Sequence, residues 1–342
     1  MSRWCSRAWE ESNCANIAGR TPHFRMPQTV PLAKRALLSM AGWLNHARLG
    51  FPRYCFAGTG GIGDDLMCTT VFRELRKRGA RGIVFTTQHP TLFQGNPNLD
   101  AVIHHAHPRL DRWLREGFPF VRLGYAQYDP GADRDEPVVE HVLTKICRLA
   151  GIGGHVDLRP YVYLTPAELA AGRLSGNQIV VQTSGLAASH SMRNKEWYPA
   201  RFQEVCAHLR LSHTVIQIGS TQDPKLDGAT DLRGQTSLRQ SAAILANSLV
   251  FVGLVGFLMH LARAADCRSV ILYGGRERPW QTGYTANQNL TGEPPCSPCW
   301  LRNRCEYNHV CMDVISPEAV LAAAQIQIAR HGQPLEVETA QL

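Results

Sequence analysis

The sequence predicts an α/β protein built of two facing, doubly wound domains with a cleft between them. Three observations predict it. The length of 342 residues leaves room for two domains of about 150 residues each. Short apolar strands alternate with helix-length segments twice along the chain. Turns rich in glycine or hydroxyl groups directly follow strands, at the carboxyl ends of the sheets where such folds bind ligands. The expected organisation is an extension over 1–50, a first domain over 51–172, a second over 173–330 and a tail over 331–342.

Residues 1 to about 30 carry no periodicity. Lys34 to Leu49 places Leu37, Met40, Ala41 and Leu44 on one face of an amphipathic helix, with Lys34, Arg35 and Arg48 at its ends. Such a helix packs on the domain or lies on a membrane surface. Tyr54 to Ala57 reads as a buried strand that runs into Gly58-Thr59-Gly60-Gly61-Ile62-Gly63, and a helix follows over about 65–78. Gly82 to Thr86 and Ala101 to His104 are the next strands, and Pro137 to Ala150 a helix. The second half repeats this grammar. Strands are expected over 178–182, 214–218, 249–252 and 269–273, and helices over 199–209, 238–247 and 256–265. The join falls near 170–177. The last helix, Pro317 to Ala329, has Ser316 as its N-cap and Pro317 in its first turn.

Composition narrows the function classes. A hydrophobic content of 44% fills two cores, and no run of about 18 apolar residues is present to span a bilayer. The first 25 residues lack the order of a secretory signal, so a cytoplasmic location is expected. The formal charge of +8 fits a polyanionic small substrate or an anionic membrane surface. With no arginine-rich run or nucleic-acid module, nucleic acid is not an expected partner.

Three turns carry the chemistry. In the first, Gly61 and Gly63 let the backbone approach a ligand at a helix N-terminus, which favours negative charge. Thr86 and Thr87 stand where a dinucleotide fold would have an acidic residue, so that reading is poor. Asp64 and Asp65 follow. One aspartate at this position caps the helix, and the other is free to take a proton from a hydroxyl. The second turn, Thr183-Ser184-Gly185, suits phosphate oxygens, and Lys195 supplies a point charge unless it is a solvated surface lysine. In the third, Gly253 to His260, the free N–H groups around Gly256 suit a diphosphate. His260 is either a packed helix histidine or a ligand contact. No carboxylate pair at metal-ligand spacing accompanies these turns, so leaving-group stabilisation without a metal is inferred.

Eleven cysteines are present. Seven are scattered and read as small buried hydrophobes. Cys296, Cys299, Cys305 and Cys311 are grouped, and could make a tetrahedral thiolate site for zinc or iron, remain reduced, or form a local disulfide.

Four stretches taken together, GIGDDLMCTT (61–70), PTLFQGNPNLDAVI (90–103), KEWYPARF (195–202) and the run from Gly234 to Leu261, resemble the heptosyltransferase-type glycosyltransferases of family 9. The resemblance spans about Arg53 to Ile328. It implies the GT-B fold of two Rossmann-like domains, with the acceptor on the N-terminal one and a nucleotide-diphosphate sugar, ADP-heptose first among candidates, on the C-terminal one. It implies Asp64 as general base, with Gly61, Gly63 and Asp65 on the acceptor side. Lys195 would neutralise the leaving diphosphate. Thr183, Ser184, Met259 and His260 would line the donor site, and Asp223 would contact the ribose. No cofactor is needed for that chemistry, and the acceptor is a glycan, a lipid-linked glycan or a protein. Similar cysteines occur in the family, including an iron-binding branch that modifies autotransporter adhesins. Any metal here would be structural.

One departure stands out. Where most members carry Asp, then Ser or Thr, then Gly, this chain has Val255, Gly256 and Phe257. Backbone N–H groups together with Arg276 and Glu277 would then hold the donor, or the donor differs, or activity is lost. A nucleotide-sugar epimerase of the same fold and an inactive scaffold are the alternatives. An epimerase would need further acid–base groups across the cleft, and no clear set is visible.

Overall fold

The computed structural model describes residues 52–106, 108–118 and 120–342. The helix expected over 34–49 lies outside the described residues. Two parallel sheets organise the chain. The first joins β1 (Tyr54–Ala57), β2 (Ile83–Thr87), β3 (Ala101–His104) and β4 (Phe120–Arg122) in the order β3-β2-β1-β4. The second joins β8 (Gln178–Val181), β9 (Thr214–Gln217), β10 (Thr230–Asp231), β11 (Phe251–Leu254), β12 (Ser269–Gly274) and β13 (Gln288–Thr291) in the order β10-β9-β8-β11-β12-β13. Each order reverses direction beside its first strand. That reversal opens a crevice at the strand ends between β1 and β4, and again between β8 and β11.

The inner strands β1, β2, β8, β11 and β12 are buried along nearly their whole length because helices cover both faces. In the first domain Phe72 of α1 (Ile62–Lys77) packs on Phe85 at 4.9 Å between ring centroids, and Phe85 on Phe93 at 5.0 Å. In the second, Trp197 meets Phe202 edge-on at 4.8 Å and donates its indole N–H to the Ile315 carbonyl at 3.1 Å. α1 begins at Ile62, earlier than the pattern predicts, so both aspartates lie inside its first turn.

Helix α3 (Val142–Leu149) is shorter than the expected 137–150. His141 caps it, accepting the Leu143 N–H at 3.2 Å, and its other ring nitrogen reaches the Gly283 carbonyl of the second domain at 2.8 Å. Residues 137–141 therefore stay outside the helix: Gln281 donates to the Val138 carbonyl at 2.6 Å. α4 (Pro166–Ala171) starts with a capping box of Thr165 and Glu168, and it packs on α6 (Leu238–Ala246) of the second domain. Gly172 lies so close to the Ala243 backbone that a Cβ would overlap it at 2.2 Å. α10 (Pro317–Ala329) has the predicted bounds, with Ser316 accepting the Ala319 N–H. Residues Thr339–Gln341 form β14, which pairs antiparallel with β7 (His155–Asp157) of the first domain.

The two sheets face each other through their carboxyl ends. A Cβ on Gly63 in α1 would stand 3.5 Å from the Phe257 Cα and 3.6 Å from the His260 ring. The first turn of α1 thus packs directly on that of α7 (Phe257–Ala264). Among the described residues, no helix is long and apolar enough to cross a membrane.

Candidate active site between the facing helix termini

Asp64 projects from the first turn of α1. Its carboxylate accepts hydrogen bonds from the Thr59 hydroxyl in the preceding turn and from the Tyr125 hydroxyl. Burial pushes its pKa up. The Thr59 bond, the charges of His190 and Lys195 and the Tyr125 bond oppose that rise. Tyr125 follows β4 at the switch point of the first sheet, on a turn where a Cβ on Gly124 would overlap the Thr59 methyl at 2.7 Å. The sequence pattern misses Tyr125, because β4 is only three residues long and shows no alternation.

Asp65 points the other way and is fully buried. The Thr87 hydroxyl at the end of β2 donates to it, and Gly58 must be glycine because a Cβ there would overlap the Asp65 carboxylate. Burial, reinforced by the neighbouring Asp64 charge and opposed by the Thr87 and Gly60 bonds, lifts its pKa to about 6. The two aspartates are therefore unlike. Asp64 is half-buried among groups of both domains, and Asp65 is locked beneath the turn.

Lys195 arrives from the second domain on a short 3-10 turn, Arg193–Lys195. Its ammonium pairs with Glu277 at 2.5 Å. Burial lowers the lysine's pKa, against the pull of the Glu277 charge. Burial raises the Glu277 carboxyl, but Lys195 and Arg276 outweigh it and hold it below the usual range. Arg276 turns inward: it pairs with Asp135 of the first domain, donates its Nε–H to the Leu301 carbonyl at 3.0 Å and lies over the Trp300 ring. Asp135 also binds Arg302, at 2.5 Å. Charges thus alternate in a buried chain from Lys195 through Glu277 and Arg276 to Asp135. Asp135 carries no motif; only the folded hairpin of β5 (Tyr128–Asp129) and β6 (Arg134–Asp135) brings it here.

The third turn is apolar. Val255 is buried, and Gly256 is the extended N-cap of α7 with no side chain to cap it, so the first N–H groups of the helix have no capping partner. Met259 lies in the core with its sulfur on the Tyr273 hydroxyl. His260 pairs with the Tyr284 hydroxyl at 2.6 Å. Burial, the Lys195 charge and His141 push its pKa down to about 3, so it stays neutral.

Beside this region is a pocket of about 440 Å³, lined by Ser184, Leu186, Glu196, Trp197 and Asp223 among others. Thr183 is turned inside the domain, donating to the Pro224 carbonyl at 2.7 Å. Glu196 takes the Gly185 N–H at 2.8 Å. Asp223 accepts the Ser220 N–H at 3.0 Å, and burial, with Glu196 nearby, lifts its pKa to about 6. Gly219, at φ +135°, leaves the room its carboxylate needs.

Cys296, Cys299, Cys305 and Cys311 are free and half-buried. Burial is the first cause raising the pKa values of the Cys299 and Cys311 thiols, reinforced at Cys299 by Cys296 and Cys305 and at Cys311 by the other three. Backbone N–H groups reach three of the sulfurs, those of Cys299, Cys305 and Cys311. The donor chemistry suits zinc or iron. Among the described residues, however, no three such side chains are placed to hold an ion.

Comparisons with known proteins follow the same lines. No curated protein matches the sequence. E. coli ADP-heptose lps heptosyltransferase II superposes with a TM-score of 0.61 at 15% identity, over 81% of this chain and 99% of that one. A family 9 glycosyl transferase from Veillonella parvula gives 0.61 at 15% identity, over 82% and 98%. TibC of enterotoxigenic E. coli, a dodecameric iron-containing heptosyltransferase solved with ADP-D-β-D-heptose, gives 0.63 at 19% identity, over 81% and 76%. Residues 177–310 match the family model "Glycosyltransferase family 9 (heptosyltransferase)". Residues 177–310 are thus similar to the glycosyltransferases of family 9, the heptosyltransferases, and the chain as a whole has the two-domain GT-B fold of these solved structures.

Proposed function

We propose that this protein moves a sugar, heptose first among candidates, from a nucleotide-diphosphate donor to an envelope-glycan or lipopolysaccharide-type acceptor, with inversion at the anomeric carbon. The observation that carries this reading is the meeting of Asp64 and Lys195 from opposite domains, close enough for the lysine's charge to act on the aspartate. Asp64 takes the acceptor hydroxyl proton as that oxygen attacks the anomeric carbon opposite the nucleotide. Its raised pKa makes it a stronger base than an ordinary carboxylate. Negative charge grows on the departing diphosphate, where Lys195 and the uncapped N–H groups of α7 stabilise it. With Val255-Gly256-Phe257 in place of the polar residues, backbone and Lys195 carry the whole of that task. The pocket at Ser184, Trp197 and Asp223 takes the nucleoside. Arg276 supports Glu277 rather than the donor.

The chemistry needs no metal under this proposal. The TibC complex with ADP-D-β-D-heptose supports an adenine nucleotide as the first donor to try. The positive formal charge supports an anionic acceptor, and work at the cytoplasmic side of the inner membrane follows from such an acceptor.

The test is thermal stabilisation by ADP-, GDP-, UDP- and dTDP-sugars, in the wild type and in Lys195→Ala. One nucleotide class should raise the melting temperature of the wild type, and the variant should lose that rise. No stabilisation by any of them would sink the proposal. Transfer with an α-anomer produced from a β-linked donor, or the converse, checks inversion.

A further inference from the structure

Asn194 stands directly before Lys195 and is buried. Its backbone N–H donates to the Arg302 carbonyl at 3.0 Å. Its side-chain amide donates to the carbonyls of Leu301 at 3.1 Å and Arg304 at 2.9 Å, and its carbonyl oxygen pairs with His309 Nε2 at 2.9 Å. Next to it, the Arg193 N–H donates to the Asn303 side chain at 3.1 Å. The whole polar inventory of the Asn194 side chain is therefore spent on one segment, 301–309. Two donors and one acceptor on a single short planar group is what an asparagine offers. An aspartate would turn an oxygen against two carbonyls.

The other side of that segment is held by the first domain. Asp133 accepts the N–H groups of Asn303 and Arg304, each at 2.8 Å. The Arg302 guanidinium binds Asp135 and lies 3.7 Å from the Tyr128 ring centroid. Residues 301–304 thus form a strut between the β5–β6 hairpin and the turn that carries Lys195. That turn is three residues long and has little rigidity of its own, and a lysine side chain is flexible.

We propose that Asn194 is a positioning residue: it fixes the Lys195 turn to the 301–309 segment, and so ties the place of the ammonium to the docking of the first domain's hairpin. This rests on the transferase reading of Lys195 given above.

The test uses the full chain as wild type, Asn194→Asp, Lys195→Ala and the double variant. Limited labelling with an amine-reactive ester, read residue by residue by mass spectrometry, needs no turnover. Lys195 should label slowly in the wild type and several-fold faster in Asn194→Asp, with Lys145 and Lys225 unchanged. If all lysines speed up together, the milder Asn194→Ser is read by the same criterion. In transfer assays Asn194→Asp should lower kcat by about tenfold to a hundredfold with KM moved far less. Added to Lys195→Ala, it should cost nothing further. Unchanged Lys195 labelling, or an undiminished loss in the Lys195→Ala background, overturns the proposal. A wild type that turns over no nucleotide sugar sinks the transferase reading, while the labelling still decides whether Asn194 sets the place of Lys195.

Discussion

Lys195 and Glu277 form an ion pair of 2.5 Å at the junction of the two domains, with the glutamate almost wholly out of water. Without Lys195, Glu277 keeps only Arg276, 3.4 Å away, as a counter-charge. Removing one partner of a buried pair costs about 3–5 kcal/mol where nothing replaces it, and less where a second cation stays. Lys195→Ala should therefore lose both transfer and stability. Adding Glu277→Gln should restore much of the melting temperature and none of the transfer. Calorimetry of the single and double variants separates the two roles.

Asp64→Asn should lower kcat by roughly 10² to 10⁴ while leaving the fold intact, because the change is isosteric and removes a buried charge. In the wild type, the acid limb of the rate profile should lie above the ordinary carboxylate range, since burial raises Asp64. Asp65 titrates nearby, at about 6, so the limb belongs to the pair. A limb near pH 4 would contradict this.

Asp65→Asn should stabilise the protein at neutral pH. The folded-state pKa of about 6 lies above the unfolded value, so the folded state holds the extra proton between roughly pH 4 and 6. Stability falls as pH rises through that window and stays lower above it, by on the order of 3 kcal/mol at most. The gain in melting temperature from Asp65→Asn should be larger at pH 7.5 than at pH 4.

His141 and His260 have the opposite pH signature to Asp65. Burial holds their folded pKa values down, at about 4 and about 3, while in the unfolded chain both bind protons near 6.5. Stability is lost as pH falls from about 6.5 toward 4. Replacing both with Gln should flatten the melting temperature over that interval; an unchanged slope would mean the loss arises elsewhere.

Asp135→Asn leaves Arg276 and Arg302 without their carboxylate at the domain junction. By the same unpaired-charge argument the cost is about 3–5 kcal/mol. Loosened docking should also raise proteolysis within 300–304. Equal cleavage of wild type and variant there would argue that the clasp does not hold the domains.

Local pattern was enough to specify the two sheets. Apolar runs such as Gln178–Val181 and Ser269–Gly274, each followed by a helix, leave a parallel sheet with two covered faces as the way to bury them. Ser316 and Pro317 likewise set the start of the last helix, because capping is chemistry between neighbours. The same local signals put Asp64 at a strand–helix turn and Lys195 before Trp197. What they could not give is anything decided across the chain. Whether Arg276 faces a ligand or Asp135, whether Met259 lines a site or the core, and that Tyr125 reaches Asp64, depend on contacts between residues far apart in sequence. Burial and the charges of those distant partners set the different environments of the adjacent Asp64 and Asp65. Those are properties of the packed tertiary structure, and no spacing along the chain encodes them.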